Sequence, residues 1–98
     1  MQLAGSVVMI TGGASGLGAA TARLFGGAGA QLALCDLNAD TGNALAAEWG
    51  NNGLFVQTDV TRSEDIQATL TQVQERFGGL HIVVNCAGIA TAERVIGR

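Results

Sequence analysis

The chain has 98 residues, 48% of them hydrophobic, and a formal charge of −3, with five arginines and no lysine. That balance excludes a disordered segment, which lacks the apolar residues to fold, and a basic nucleic-acid binder held by phosphate neutralisation. No apolar run approaches the roughly 20 residues that span a bilayer, the first residues do not read as a secretory leader, and two cysteines make neither a disulfide framework nor a metal set.

The length allows one domain at most. Cys35 and Cys86 read as small buried apolar residues in a reducing compartment, with the cytoplasm as the expected location and an organelle matrix as the alternative. In chain order, Ser6 to Ile10 predicts a first strand whose apolar tetrad Val7-Val8-Met9-Ile10 suits a buried parallel position. Gly16 to Ala28 predicts a first helix, with Leu17, Thr21, Leu24, Phe25 and Ala28 as its core-facing stripe. A second strand runs from Gln31 to Cys35 and closes at Asp36. Asn38 then caps a second helix that reaches about Trp49, with Leu45 and Trp49 facing inward.

Gly50 to Gly53 reads as a turn, and Leu54 to Val56 as a third strand. Thr61-Arg62-Ser63-Glu64 has the form of a capping box, in which Thr61 would bond the N3 amide and Glu64 would reach back. The helix behind it carries Ile66, Leu70, Val73 and Phe77 on one face and stops at Gly78-Gly79. His81, the one histidine, stands at the entrance of a fourth strand, Ile82 to Asn85, and reads as structural. Strands alternating with helices predict an α/β fold: a doubly wound parallel sheet of Rossmann type, ordered 3-2-1-4.

In such a sheet the carboxyl ends of the strands carry the ligand. The turn Thr11 to Gly18 lies between strand and helix, where a glycine motif has a mechanism. Gly12 would let the chain reverse, Gly16 would let a pyrophosphate approach the backbone, and Gly18 would let helix and strand pack closely. Free amides at the helix start, with the dipole behind them, form an anion site. Asp36 ends the second strand 18 residues after Gly18, where a carboxylate meets the adenosine ribose and repels a 2′-phosphate. No cation lies in the glycine turn or directly after Asp36, so NAD is expected over NADP. Asp59 and Val60 end the third strand on the same edge and would frame adenine. Asn85 to Gly88 ends the fourth, where small residues leave room.

Thr11-Gly12-x-x-x-Gly16-x-Gly18, Asp36, Asp59-Val60 and Asn85-Cys86-Ala87-Gly88 together resemble the short-chain dehydrogenase/reductase family, and within it the 3-hydroxyacyl-CoA dehydrogenase type 2 group. The family often has a second Asn where this chain has Cys86, a departure that group shares. The resemblance implies that Ser15 and Leu17 contact the cofactor diphosphate and that Asp36 holds the adenosine ribose. It implies that Cys86, Ala87 and Gly88 line the nicotinamide-side ribose, while Asn85 braces the sheet.

The resemblance also implies an NAD-dependent exchange of hydride with a secondary alcohol of 3-hydroxyacyl-CoA or hydroxysteroid type, small-molecule substrates and a homotetramer. The family's proton chemistry uses a Tyr-x-x-x-Lys pair. This sequence has no tyrosine and no lysine, so no catalytic residue is placed here. The chain reads as the N-terminal half of one NAD-binding domain. A non-catalytic dinucleotide sensor or scaffold is the alternative.

Overall fold

The computed structural model describes residues 3–86. Its elements are β1 (Val7–Thr11), α1 (Gly16–Gly27), β2 (Gln31–Asp36), α2 (Ala39–Ala46), a 3₁₀ segment (Ala47–Asn52), β3 (Gly53–Gln57), α3 (Ser63–Phe77) and β4 (Ile82–Asn85). All pairings are parallel, and the sheet order is β3-β2-β1-β4. The predicted α/β architecture and strand order are those observed.

Successive side chains of a strand point to opposite faces, and helices cover both faces here, so β1 and β2 are apolar without alternation. Val8, Ile10, Leu32 and Leu34 form one core layer with Ala22 of α1 and Leu45 and Ala46 of α2. Val7, Met9, Ala33 and Cys35 form the other with Val73 of α3. Register places Thr11 opposite both Cys35 and Asn85, and Asp36 opposite Gln57, so the carboxyl ends of all four strands meet at one rim.

Three expectations need correction. The buried face of α1 is Gly18 and Ala22, with Ala19 and Phe25 packed beside them, whereas Leu17 and Leu24 are 56% and 71% exposed. The helix lies so close to the sheet that a Cβ on Gly18 would overlap the Gly12 carbonyl oxygen. Only small residues fit that seam, and the leucines are turned outward. Next, α2 ends at Ala46 and tightens into the 3₁₀ segment, where Gly50 takes φ +54°. Trp49 still packs on the core, its indole lying where a Cβ on Gly26 of α1 would stand. Asn38 caps α2 as expected, its side chain accepting from Thr41 N (3.1 Å).

The third correction is the capping box. The residue at the N-cap of α3 is Arg62, and it makes no side-chain cap bond. Thr61 Oγ1 instead donates to Asp59 Oδ1 (2.6 Å), and Glu64 pairs with Arg62 (3.3 Å). A charged carboxylate two residues upstream outcompetes a neutral arrangement for the threonine hydroxyl. Gly78 closes α3 in the left-handed region, φ +79°, as a glycine C-cap does. His81 is structural: Val7 N donates to its Nδ1 (2.9 Å), and its own amide donates to Val7 O (3.0 Å).

Candidate functional site

The carboxyl rim opens into a cleft of about 390 Å³. Gly12, Ser15, Asp36, Asp59, Val60 and Cys86 line it, all predicted from the sequence, together with Cys35, Leu37, Thr58 and Thr61, which were not. Ala87 and Gly88 lie outside the described residues. The missed four sit beside predicted positions, and only the backbone path shows that they share the wall.

The glycine turn forms the near side. Gly12 takes φ +70°, which a side chain would strain, and its amide donates to Cys35 O (2.7 Å). This seats the turn on the end of β2. Ser15 caps α1: its hydroxyl donates to Gly12 O (2.6 Å) and accepts from Gly18 N (3.1 Å). The Gly16 and Leu17 amides, at the very start of α1, take no hydrogen-bond acceptor among the described residues. Leu17 is exposed, and Gly18 is buried under Gly12.

Gly16 is informative for what it does not do. Its φ is not positive, and a Cβ built on it meets nothing within 4 Å. Neither backbone conformation nor packing among the described residues calls for a glycine there. Space kept open beside two unpartnered amides is what a diphosphate needs.

Asp36 forms the middle of the rim. Its Oδ2 accepts from Ala14 N (3.0 Å) and its Oδ1 from Asn38 N (3.1 Å). The two amides aim the carboxylate while using two of its roughly four lone-pair positions. The others can accept from a pair of vicinal hydroxyls. Gln57 Nε2 donates to Leu37 O (3.0 Å) and so fixes the residue that follows.

On the far side, the Asp59 carboxyl accepts from both the hydroxyl and the amide of Thr61 (2.6 and 3.0 Å). The hydroxyl bond first, and the amide bond second, hold it below the usual carboxylate range. Its Oδ2 takes no donor among the described residues. At the floor, Cys35 is fully buried, and desolvation pushes its thiol up to about 11, so it stands there as a neutral apolar group. Cys86 is half-buried, 3.8 Å from Thr21 Oγ1, with its amide bonded to Thr11 O (2.9 Å). Thr11 Oγ1 donates to Asn85 Oδ1 (2.7 Å), tying β1 to β4 beneath the site. No group of three or more His, Cys, Asp or Glu able to hold a metal occurs among the described residues.

The geometry is that of an open cleft at the carboxyl rim of a parallel sheet, walled by a glycine turn and two acidic residues. The family model for short chain dehydrogenase matches residues 6–96. The chain belongs to the short-chain dehydrogenase family. It is 48% identical over 90 residues to human 3-hydroxyacyl-CoA dehydrogenase type-2, covering 92% of this chain and 34% of that protein. It is 43% identical over 88 residues to the 3-beta-hydroxysteroid dehydrogenase of Comamonas testosteroni, covering 90% and 35%.

Among solved structures, a short chain dehydrogenase from Bacillus anthracis superposes with a TM-score of 0.83 at 32% identity, over 89% of this chain and 36% of that one. The 3-ketoacyl-(acyl-carrier-protein) reductase of Brucella melitensis, solved as a complex with NADH, gives a TM-score of 0.80 at 31% identity, over 83% and 34%. The chain spans about a third of the length of the curated relatives it matches.

Proposed function

We propose that this chain is the cofactor-binding part of an NAD-dependent oxidoreductase whose substrates are secondary alcohols and the matching ketones. The names of the relatives, 3-hydroxyacyl-CoA and 3-beta-hydroxysteroid dehydrogenases, favour acyl-CoA or steroid substrates and support the redox class. In a complete protein the partners would be small molecules and further copies of the subunit, in a tetramer.

One observation carries the reading: the Asp36 carboxylate, aimed by Ala14 N and Asn38 N, stands between the glycine turn and the Asp59-Val60 wall. Bound NAD would supply the hydride acceptor, which is the chemistry no side chain of this sequence offers. The chain's own residues would bind and orient it. The Gly16 and Leu17 amides would take the diphosphate, with Gly16 leaving room and Gly12 and Gly18 shaping the turn. Ser15 would hold that turn in form through its two internal bonds.

Asp36 would accept from the adenosine ribose hydroxyls, and Asp59 and Val60 would frame adenine. Cys86, with Ala87 and Gly88, would floor the nicotinamide-side ribose. A neutral Cys35 below adds no charge to a site that must accept an anion. The Asp36 carboxylate would repel a 2′-phosphate, which favours NAD over NADP.

Titration of the complete protein with NADH and NADPH tests this. NADH should bind the tighter, and Asp36→Ala should weaken NADH by about ten- to a hundredfold, as for the loss of a charge-assisted bond of about 1.5–3 kcal/mol. Tighter binding of NADPH, or an unchanged affinity in the variant, would remove Asp36 from this role. The alternative reading is a dinucleotide sensor without turnover. A complete protein that binds NADH but oxidises no secondary alcohol would support it.

A further inference from the structure

The connection from β3 to α3 carries a set of hydrogen bonds that cofactor contact does not require. Asp59 N donates to Asp65 Oδ2 (2.9 Å). The Thr58 and Thr69 hydroxyls, 2% and 1% exposed, lie 2.8 Å apart. Thr58 Oγ1 also reaches Val56 O (2.9 Å), and Thr69 Oγ1 reaches Asp65 O (2.8 Å). Two hydroxyl protons thus serve three contacts, all inside the protein. A satisfied buried network of this kind fixes one arrangement of the groups it joins.

Asp65 is the third residue of α3, where an acid ordinarily reaches back to the amide of the N-cap residue. Here it reaches past the cap residue Arg62 to Asp59, which belongs to the cleft wall. Its peptide carbonyl takes Thr69 Oγ1, whose hydroxyl faces Thr58. Residues 58 and 59 are therefore both tied to the first two turns of α3. Asp59 in turn holds Thr61 through two bonds, so Val60 is fixed between them. The helix contributes no side chain to the cleft, yet it sets where one wall stands.

We infer that Asp65 is a positioning residue for the adenine end of the cleft: through the Asp59 amide it fixes the turn whose free carboxylate oxygen would accept from the adenine amino group. This rests on the dinucleotide reading given above. It predicts a selective effect on base recognition, in contrast to a general loss of the site.

The experiment uses the complete protein and three probes: NADH, its hypoxanthine analogue, and reduced nicotinamide mononucleotide, which lacks the adenosine half. Wild type should prefer NADH to the hypoxanthine analogue, because the amino donor is replaced by an oxo acceptor. In Asp65→Ala, NADH should weaken by about ten- to a hundredfold, the loss expected for a bond to a charged acceptor. The adenine preference should collapse, while the mononucleotide affinity stays unchanged. Asp65→Asn, whose Oδ1 can still accept from the Asp59 amide, should restore most of the preference.

Where Asp65→Ala does not fold, Thr69→Val decides. It nearly conserves shape and leaves Thr58 Oγ1 bonded to Val56 O, so no buried hydroxyl is orphaned, and it should lower the adenine preference by about two- to threefold. A wild type that binds no NADH overturns the cofactor reading and this inference with it. A wild type that binds NADH, with a folded Asp65→Ala that keeps its adenine preference or loses the mononucleotide equally, overturns the role of Asp65 alone. A Thr69→Val variant that keeps the preference does the same where it is the deciding variant.

Discussion

The two sides of the cleft are built by opposite means. On the α1 side the wall is made by leaving side chains out: Gly12 for its φ, Gly18 for the seam under Gly12, and Gly16 for open space. On the α3 side it is made by adding polar side chains that grip one another, with Asp59, Thr61 and Asp65 at the surface and Thr58 and Thr69 beneath. Omission yields a rigid wall only where backbone meets backbone. Polar bracing yields one that responds to pH and to single-atom changes.

The largest effect should come from filling the seam. Gly18→Ala drives a Cβ into the Gly12 carbonyl, backbone that cannot give way, and should cost about 3 kcal/mol or more of stability, read as a lowered urea midpoint. Gly16→Ala is the matched control, since no described residue opposes its methyl. It should leave the urea midpoint unchanged or raised, while weakening NADH by about tenfold, or 1.4 kcal/mol. Equal effects of the two on stability would erase the distinction between a packing glycine and a ligand glycine.

Cys35 gives a smaller, pH-dependent effect. Its folded thiol titrates at about 11 against an ordinary 9.0. The stability it lends is complete below the lower value and lost as pH rises toward the higher. The span is on the order of 2–3 kcal/mol. No tyrosine or lysine of this sequence overlaps that window. Urea unfolding of wild type and Cys35→Ala at pH 8 and pH 11 should therefore show the wild type losing more with alkali.

The smallest effect belongs to Asp59. Its lowered carboxyl lends stability above the ordinary carboxylate range, lost as pH falls through the depressed value. Thr61→Val removes the leading cause, and the carboxyl resonance of Asp59 should then titrate at higher pH. An unmoved titration would mean that the hydroxyl bond does not govern it.

The same contrast explains what the sequence disclosed. Strand order, element sequence and the glycine turn were legible because each follows from a local rule: apolar runs, 3.6-residue spacing, or a residue without a Cβ between strand and helix. Asn38 and Gly78 were legible as caps for the same reason. The inward face of α1 was not. Leucines at helical spacing look like a core stripe, and only the closeness of the sheet selects Gly18 and Ala22 instead. Nor was the start of α3, where Thr61 had two partners of similar sequence separation and the charged one won. Asp36, Asp59 and Val60 were legible as rim residues from their place at or just past strand ends, and they line the cleft. Thr58, Asp65 and Thr69 were not, since their partners are chosen by tertiary approach.

The centre of the sheet sets a timing problem during synthesis. Of the four strands described, β1 leaves the ribosome first, but its bonds to the β4 side join residues 74 positions apart, Val7 with His81 and Thr11 with Asn85. At about 5–20 residues per second, roughly 4–15 s pass between translation of the two partners. During that interval the apolar run Val7 to Ile10 has at most one neighbour, and its other side can pair with any extended segment nearby. Elongation rate over the 74 residues that separate each pair of partners, more than final stability, governs how long that side stays open.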